Sequence, residues 1–277
     1  MAELLVVNTG GTIGMRPGPQ GLEPAPGLVE AALPRGLAAQ VVAFDPLRDS
    51  ADMGPHDWNR IADLIEASKA RGVLVVHGTD TMAMTGAALA AIGMDRPVVL
   101  CGSMQPLGQG GDAEGNLALA LEAVQTRPPG VWLAFAGQVF DASALVKTDS
   151  HRADSFRAAA HLPQAPTGRR FDPARVVGVV SITPGMAPPV LAAMLAPCDA
   201  AVLRVFGAGT LPGNPALAQV LAQAVAQGKR LRAVSQCPFG GLAPGAYAAG
   251  AAIWAAGVEN GGSETPEAAL ARLWLTD

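Results

Sequence analysis

Two apolar runs in this chain break off into glycine and threonine. Leu4–Val7 leads into Asn8-Thr9-Gly10-Gly11-Thr12, and Val73–Val76 leads into His77-Gly78-Thr79-Asp80. If both turns open into one cleft, the hydroxyls of Thr12 and Thr79 and the carboxylate of Asp80 offer a nucleophile, a helper and a charge anchor. A threonine hydroxyl is a poor nucleophile near neutral pH, so a base is also needed. His77, His151 and Lys147 are the candidates by residue type. His77 ends an apolar strand and reads as a buried, hydrogen-bonded structural group. Lys147 stands beside Thr148 and Asp149 in the run "ALVKTDSHRADSF", in a chain with few lysines. A lysine acts as a base only where burial or nearby positive charge weakens its hold on the proton.

Taken singly, a glycine pair after a strand is an ordinary tight turn and threonine an ordinary helix cap. The pair carries the weight. Asn8–Gly14 has neither the G-x-G-x-x-G spacing of a dinucleotide loop nor the G-K-[ST] ending of a phosphate-binding loop.

The elements that must hold these turns are strands without polar alternation: Leu4–Val7, Val73–Val76, Val98–Leu100, Val131–Phe135, Val176–Ile182 and Ala201–Val205. Such runs belong to sheets covered on both faces, usually parallel ones. Helical spacing lies between them. Trp58, Ile61, Ala62 and Ile65 follow Pro55 and predict a helix ending in a cationic turn, Lys69 and Arg71, with Gly72 as its C-terminal glycine. Leu117, Leu121 and Val124 repeat the pattern, as do Leu217, Val220, Leu221 and Val225 before Gly228. Alternating strands and helices predict an α/β fold, in which ligands bind outside the carboxyl ends of the strands. The stretch "PQAPTGRRFDP" predicts a linker over 163–175 between an N-terminal α/β domain, 1–162, and a C-terminal one, 176–277. Met15–Gly27, with four prolines and three glycines, predicts a surface loop.

No apolar run reaches the roughly 18 to 20 residues of a membrane span. The first residues lack the marks of a signal peptide, so a cytoplasmic protein is expected. A formal charge of −4 and the absence of a basic run argue against nucleic acid and for a small-molecule partner. Cys101, Cys198 and Cys237 are odd in number and far apart, which predicts buried thiols rather than disulfides or a zinc site.

Five motifs together resemble the bacterial-type L-asparaginase family, particularly its cytoplasmic type I branch: "TGGTIGM" (9–15), "DSADMGPHDW" (49–58), "HGTDTMAMTGAAL" (77–89), "KTDSHRADSF" (147–156) and "QCPFGGLAPGAYAAG" (236–250). They span nearly the whole chain, in order. The resemblance implies a larger flavodoxin-like parallel-sheet domain followed by a smaller Rossmann-like α/β domain. It also implies hydrolysis of L-asparagine to L-aspartate and ammonia, with no metal and no organic cofactor. By motif position Thr12 corresponds to the nucleophile, and Thr79, Lys147 and Asp80 to the second catalytic group, in which Lys147 would activate the Thr79 hydroxyl. Ser50 would bind the substrate's α-carboxylate and Asp80 its α-ammonium, with Gly11 and Gly78 also at the substrate. The family's cleft is completed by a neighbouring subunit, so a homodimer or a dimer of dimers is implied.

Some positions depart from the pattern. A tyrosine that helps close the site follows "QG" in type I relatives; here Leu22 does, and the single tyrosine, Tyr247, belongs to the C-terminal motif. Ala51 stands where some relatives carry a substrate-reaching glutamine. Longer type I relatives continue with helical sequence beyond "ALARLWL", so any role of that tail is expected to be absent or otherwise supplied. The alternatives are a noncatalytic amino-acid-binding sensor, an amidase acting on glutamine, and an amidotransferase component, the last disfavoured by the lack of a basic surface.

Overall fold

The computed structural model describes residues 3–159 and 167–275. These pack into two compact units, one of residues 3–158 with 167–170, the other of residue 159 with 171–275.

In the first unit a six-stranded sheet runs β4-β1-β5-β6-β7-β8, from β1 (Leu4–Gly10), β4 (Ala39–Arg48), β5 (Gly72–Val76), β6 (Pro97–Cys101), β7 (Gly130–Phe135) and β8 (Gln138–Asp141). All neighbours pair in parallel except β8, which turns back antiparallel on β7. Counted among themselves, the parallel strands follow the doubly wound order 2-1-3-4-5, whose switch point lies between β1 and β5. The carboxyl ends of those two strands carry Thr12 and Thr79.

The sequence forms this sheet because its strands are apolar on both faces. Leu4, Val6, Leu74 and Val76 join a core with Leu117, Ala120 and Val124 of α4 (Ala113–Thr126). The alternating residues Leu5, Val7, Val73 and Val75 are no less buried. On α2 (Pro55–Ala67) Trp58, Ile61, Ala62 and Ile65 are buried as their spacing predicts. That helix stops earlier than expected, at Ala67, with Ser68 extended, and Gly72 is the first residue of β5. Gly72 serves packing instead: a Cβ there would overlap the Val124 side chain, so its absence lets α4 lie against the strand.

A second correction concerns Met15–Gly27. It is built around a hairpin, β2 (Met15–Gly18) against β3 (Gly21–Pro24), antiparallel with Pro17 opposite Leu22. A two-stranded ribbon has an open edge on each side, which accommodates prolines that a central strand would reject. Leu28–Ala32 (α1) and Met82–Ile92 (α3) complete the main helices, and β9 (Leu145–Lys147) pairs antiparallel with β10 (Phe156–Ala158).

The second unit holds a smaller parallel sheet in sequential order: β11 (Val177–Ser181), β12 (Ala200–Val205), β13 (Arg230–Ser235) and β14 (Glu259–Asn260). Helices α5 (Pro188–Leu195), α6 (Pro215–Ala226), α7 (Ala251–Ala255) and α8 (Pro266–Leu275) accompany it. Leu217 and Leu221 of α6 pack into its core, and the turn after the helix uses Gly228 at φ 86°.

Of the predicted linker, 163–166 lie outside the described residues. Thr167 and Gly168 donate to the carbonyls of Ala91 and Ile92, and Arg170 pairs with Asp63 and Glu66 on α2. Cys101 and Cys198 are buried, as expected, but Cys237 is exposed because it follows β13 in a loop. No helix among the described residues is long and apolar enough to cross a membrane.

Candidate active site

Three strand-end turns meet at the carboxyl edge of the first sheet. β1 ends in Gly10 and Gly11, at φ 122° and 94°, and the chain then makes one short 3-10 turn over Thr12–Gly14. Buried Ile13 plugs that turn into the core, and its carbonyl accepts from Leu107 N–H. Thr9 Oγ1 donates to the carbonyl of Val76 at 2.8 Å, tying the end of β1 to the end of β5. A Cβ on Gly11 would overlap the backbone of Gly78, and a Cβ on Gly78 would stand 2.6 Å from Ser50 Oγ. The turns after β1, β5 and β4 therefore touch, and only glycine allows the approach.

Lys147 arrives from β9. Its Nζ donates to Thr79 Oγ1 at 2.9 Å and to Asp80 Oδ1 at 2.7 Å. The Lys147 side chain is only 16% exposed whereas that of Asp80 is 70% exposed, so the cation is sheltered and its counter-charge faces solvent. In this arrangement Lys147 is an ion-paired ammonium and a hydrogen-bond donor. To accept a proton from Thr79 it must first yield one, and Asp80 is the carboxylate placed to take it.

The turns enclose a cavity of about 240 Å³. Gly11, Thr12, Ser50, Gly78, Thr79, Asp80 and Lys147, the positions singled out in the sequence, all line it. Its size suits a small polar metabolite rather than a drug-sized ligand, whose pockets run from roughly 300 Å³ upward. Asp49 and Asp80 against Lys147, with hydroxyls between, suit a ligand bearing both charges.

Sequence reasoning missed Met15, Asp49, Met104 and Ser150, which also line the cavity. Met104 follows β6 after a glycine, the same strand-end signal that marked Thr12 and Thr79. The Asp112 carboxylate holds it there, accepting from the backbone N–H of Met104 at 2.9 Å and of Gln105 at 3.0 Å.

His77 is fully buried and takes the structural part. Its Nδ1 lies 2.7 Å from the Gly78 carbonyl, which can only accept, so Nδ1 carries the hydrogen and Nε2 accepts from Thr85 Oγ1 at 2.9 Å. The same Thr85 oxygen accepts from Trp58 Nε1 at 3.0 Å. Burial depresses the imidazole's proton affinity, against weaker opposing effects of the Gly78 carbonyl and the Asp57 charge. Burial also pushes the Cys101 thiol up to about 12, helped by Asp112.

Leu22 is 47% exposed on β3 and is not part of the cavity wall. Ala51 is exposed, with its N–H donated to Asp49 Oδ1, and it too stands off the cavity. Tyr247 is exposed in the second unit.

Residues 3–172 match the family profile "Asparaginase, N-terminal", and residues 176–276 match "Glutaminase/Asparaginase C-terminal domain". The chain belongs to the asparaginase family. It is 33% identical to L-asparaginase 1 of Escherichia coli over 98% of this chain and 90% of that one. Among solved structures, the thermostable L-asparaginase of Thermococcus kodakarensis superposes with a TM-score of 0.85 at 30% identity, covering 98% of this chain and 91% of that one. L-asparaginase I of Vibrio cholerae gives a TM-score of 0.83 at 31% identity, with the same coverage of each chain. Both units of this asparaginase-family chain thus fall within the likeness, and the threonine turns lie in the N-terminal match.

Proposed function

We propose that this chain hydrolyses L-asparagine to L-aspartate and ammonia through an ester on Thr12, using no metal or organic cofactor. The observation that carries the reading is the meeting of Thr12 and Thr79 at the β1/β5 switch point, with Lys147 Nζ on Thr79 Oγ1. Ser50 and Asp80 receive the α-carboxylate and α-ammonium, which orients the side-chain amide toward the turns. Thr12 Oγ adds to the amide carbon, and backbone N–H groups of the glycine turns receive the developing oxyanion. Thr79, which accepts from Lys147, donates its own hydrogen to the departing nitrogen, Lys147 replaces that proton, and the proton that Thr12 gives up in the addition restores Lys147 to an ammonium. Ammonia leaves, and water then releases aspartate from the ester.

Purified protein should release ammonia from asparagine, and Thr12→Ala should abolish the release with the fold intact by circular dichroism. Full activity in that variant would overturn Thr12 as nucleophile. We also propose a homodimer or dimer of dimers acting in the cytoplasm on this small-molecule substrate, with no nucleic-acid or membrane partner.

Leu22, exposed away from the cavity where relatives place a closing tyrosine, favours a second reading: an amino-acid-binding protein with slow or absent turnover. Calorimetric binding of asparagine or aspartate with no ammonia over hours would support it. An ammonia assay comparing asparagine with glutamine decides the amide preferred.

A further inference from the structure

The reaction above leaves one side chain of the cavity wall, with its neighbour, without work. Ser150 lines the cavity that Thr12, Thr79 and Lys147 line, and its Oγ lies 2.7 Å from His151 Nδ1. The pair sits on a formed turn: the Asp149 carboxylate accepts from the backbone N–H of His151 at 2.8 Å and of Arg152 at 2.9 Å. Those two bonds hold the Asp149 carboxyl below its ordinary range, so the turn is braced by a charged acceptor.

Hydrolysis of an ester needs a group that takes a proton from water, and the other titratable groups around the cavity each already hold a bonded partner. Lys147 is an ion-paired ammonium. Asp80 is its partner, and Asp49 Oδ1 accepts from Ala51 N–H. His77 has both ring nitrogens engaged, at the Gly78 carbonyl and at Thr85. His151 reaches the cavity through one hydroxyl.

We infer that Ser150 and His151 form a proton relay that activates the hydrolytic water in the second half-reaction. The inference rests on the amidohydrolase reading and extends it. Water oxygen attacks the ester carbon on Thr12 while one water proton passes to Ser150 Oγ and the Ser150 proton passes to His151 Nδ1. The tetrahedral adduct then collapses: the bond from carbon to Thr12 Oγ breaks, and the proton on His151 returns through Ser150 to Thr12. Aspartate leaves, and both side chains end as they began. No oxidant, metal or further reactant enters.

A relay confined to the second step has a kinetic signature that a loss of structure lacks. Ammonia release precedes it, so kcat/KM measured by ammonia should stay within about threefold in Ser150→Ala and His151→Gln, while kcat falls roughly 10²-fold, the usual worth of a general base. Rapid-quench experiments on the full-length protein should show a burst of about one ammonia per site followed by slow turnover. Intact-mass measurement should then find the aspartyl ester accumulating on Thr12. Hydroxylamine, a nucleophile that attacks without a base, should restore turnover in both variants by forming aspartyl hydroxamate.

The relay is overturned if either variant keeps the wild-type kcat, or if kcat and kcat/KM fall together with no burst and no trapped ester. Absence of ammonia release from the wild type would instead overturn the amidohydrolase reading, and the relay with it. Circular dichroism melts of the variants separate these results from misfolding.

Discussion

Gly11 and Gly78 lie in backbone contact although β1 and β5 end in different turns, and neither position tolerates a Cβ without a clash. This contact brings the turn that bears Thr12 against the turn that bears Thr79. A methyl group at 11 would meet the Gly78 backbone, which cannot swing aside as a side chain does, and Gly11 also sits at φ 94°. Gly11→Ala should therefore cost at least about 2 kcal/mol of stability, from overpacking and left-handed strain together. Turnover should fall even in protein that stays folded, because the two hydroxyls move apart. Urea unfolding and an ammonia assay on the same preparation check both; unchanged turnover would mean the contact does not set the site.

The Lys147 ammonium bonds Thr79 and Asp80 at once. Lys147→Met keeps the side chain's apolar length and removes both bonds, so kcat should drop by roughly 10²- to 10³-fold, the scale of losing a proton-transfer partner. Stability should change by less than about 1 kcal/mol, because Asp80 is largely exposed and such a pair is screened by water. Steady-state kinetics beside a thermal melt measure the two effects separately. Turnover near wild type in this variant would remove Lys147 and Thr79 from the mechanism.

How much of this was legible beforehand follows from which interactions are local. The buried strands announced themselves because Leu4–Val7 and Val73–Val76 are apolar at every position, and glycine with threonine after each marked the turns. The meeting of Lys147 with Thr79 spans 68 residues, and no spacing encodes it; only the family resemblance linked them. Gly72 misled because a glycine after a helical pattern signals a cap, whereas here it makes room for Val124. Met104 entered the cavity wall through side-chain bonds to a loop backbone, from Asp112, which no periodicity reveals.

Leu22 stands on β3 opposite Pro17, exposed and without a core to support. Replacement by tyrosine should therefore leave stability within about 0.5 kcal/mol, as for other surface changes. The hairpin starts at Met15, which lines the cavity, so a longer polar side chain on β3 is tethered to the cleft. If the hairpin closes over bound substrate, a tyrosine hydroxyl there adds one hydrogen bond near Thr12, worth roughly 1 to 3 kcal/mol when it is buried. Leu22→Tyr should raise kcat/KM for asparagine by about one to two decades. An unchanged value would show that the hairpin does not reach the reacting atoms in this protein.

His77 ties the active-site turn to the acid stability of the fold. Burial lowers its affinity for protons in the folded state, whereas the unfolded chain titrates near 6.5. Above that pH both states are unprotonated at this residue and it contributes no slope. As pH falls below 6.5 the unfolded chain binds a proton that the folded chain refuses, so stability is lost with acid, by up to about 1.4 kcal/mol per pH unit for one proton. In His77→Gln that contribution disappears: urea unfolding free energies measured from about pH 8 down to pH 5 should fall less steeply than in the wild type below 6.5. The variant should be weaker overall at neutral pH, because Thr85 and the Gly78 carbonyl lose their well-aligned partner. Parallel acid slopes in the two proteins would show that carboxylates, not His77, govern the loss.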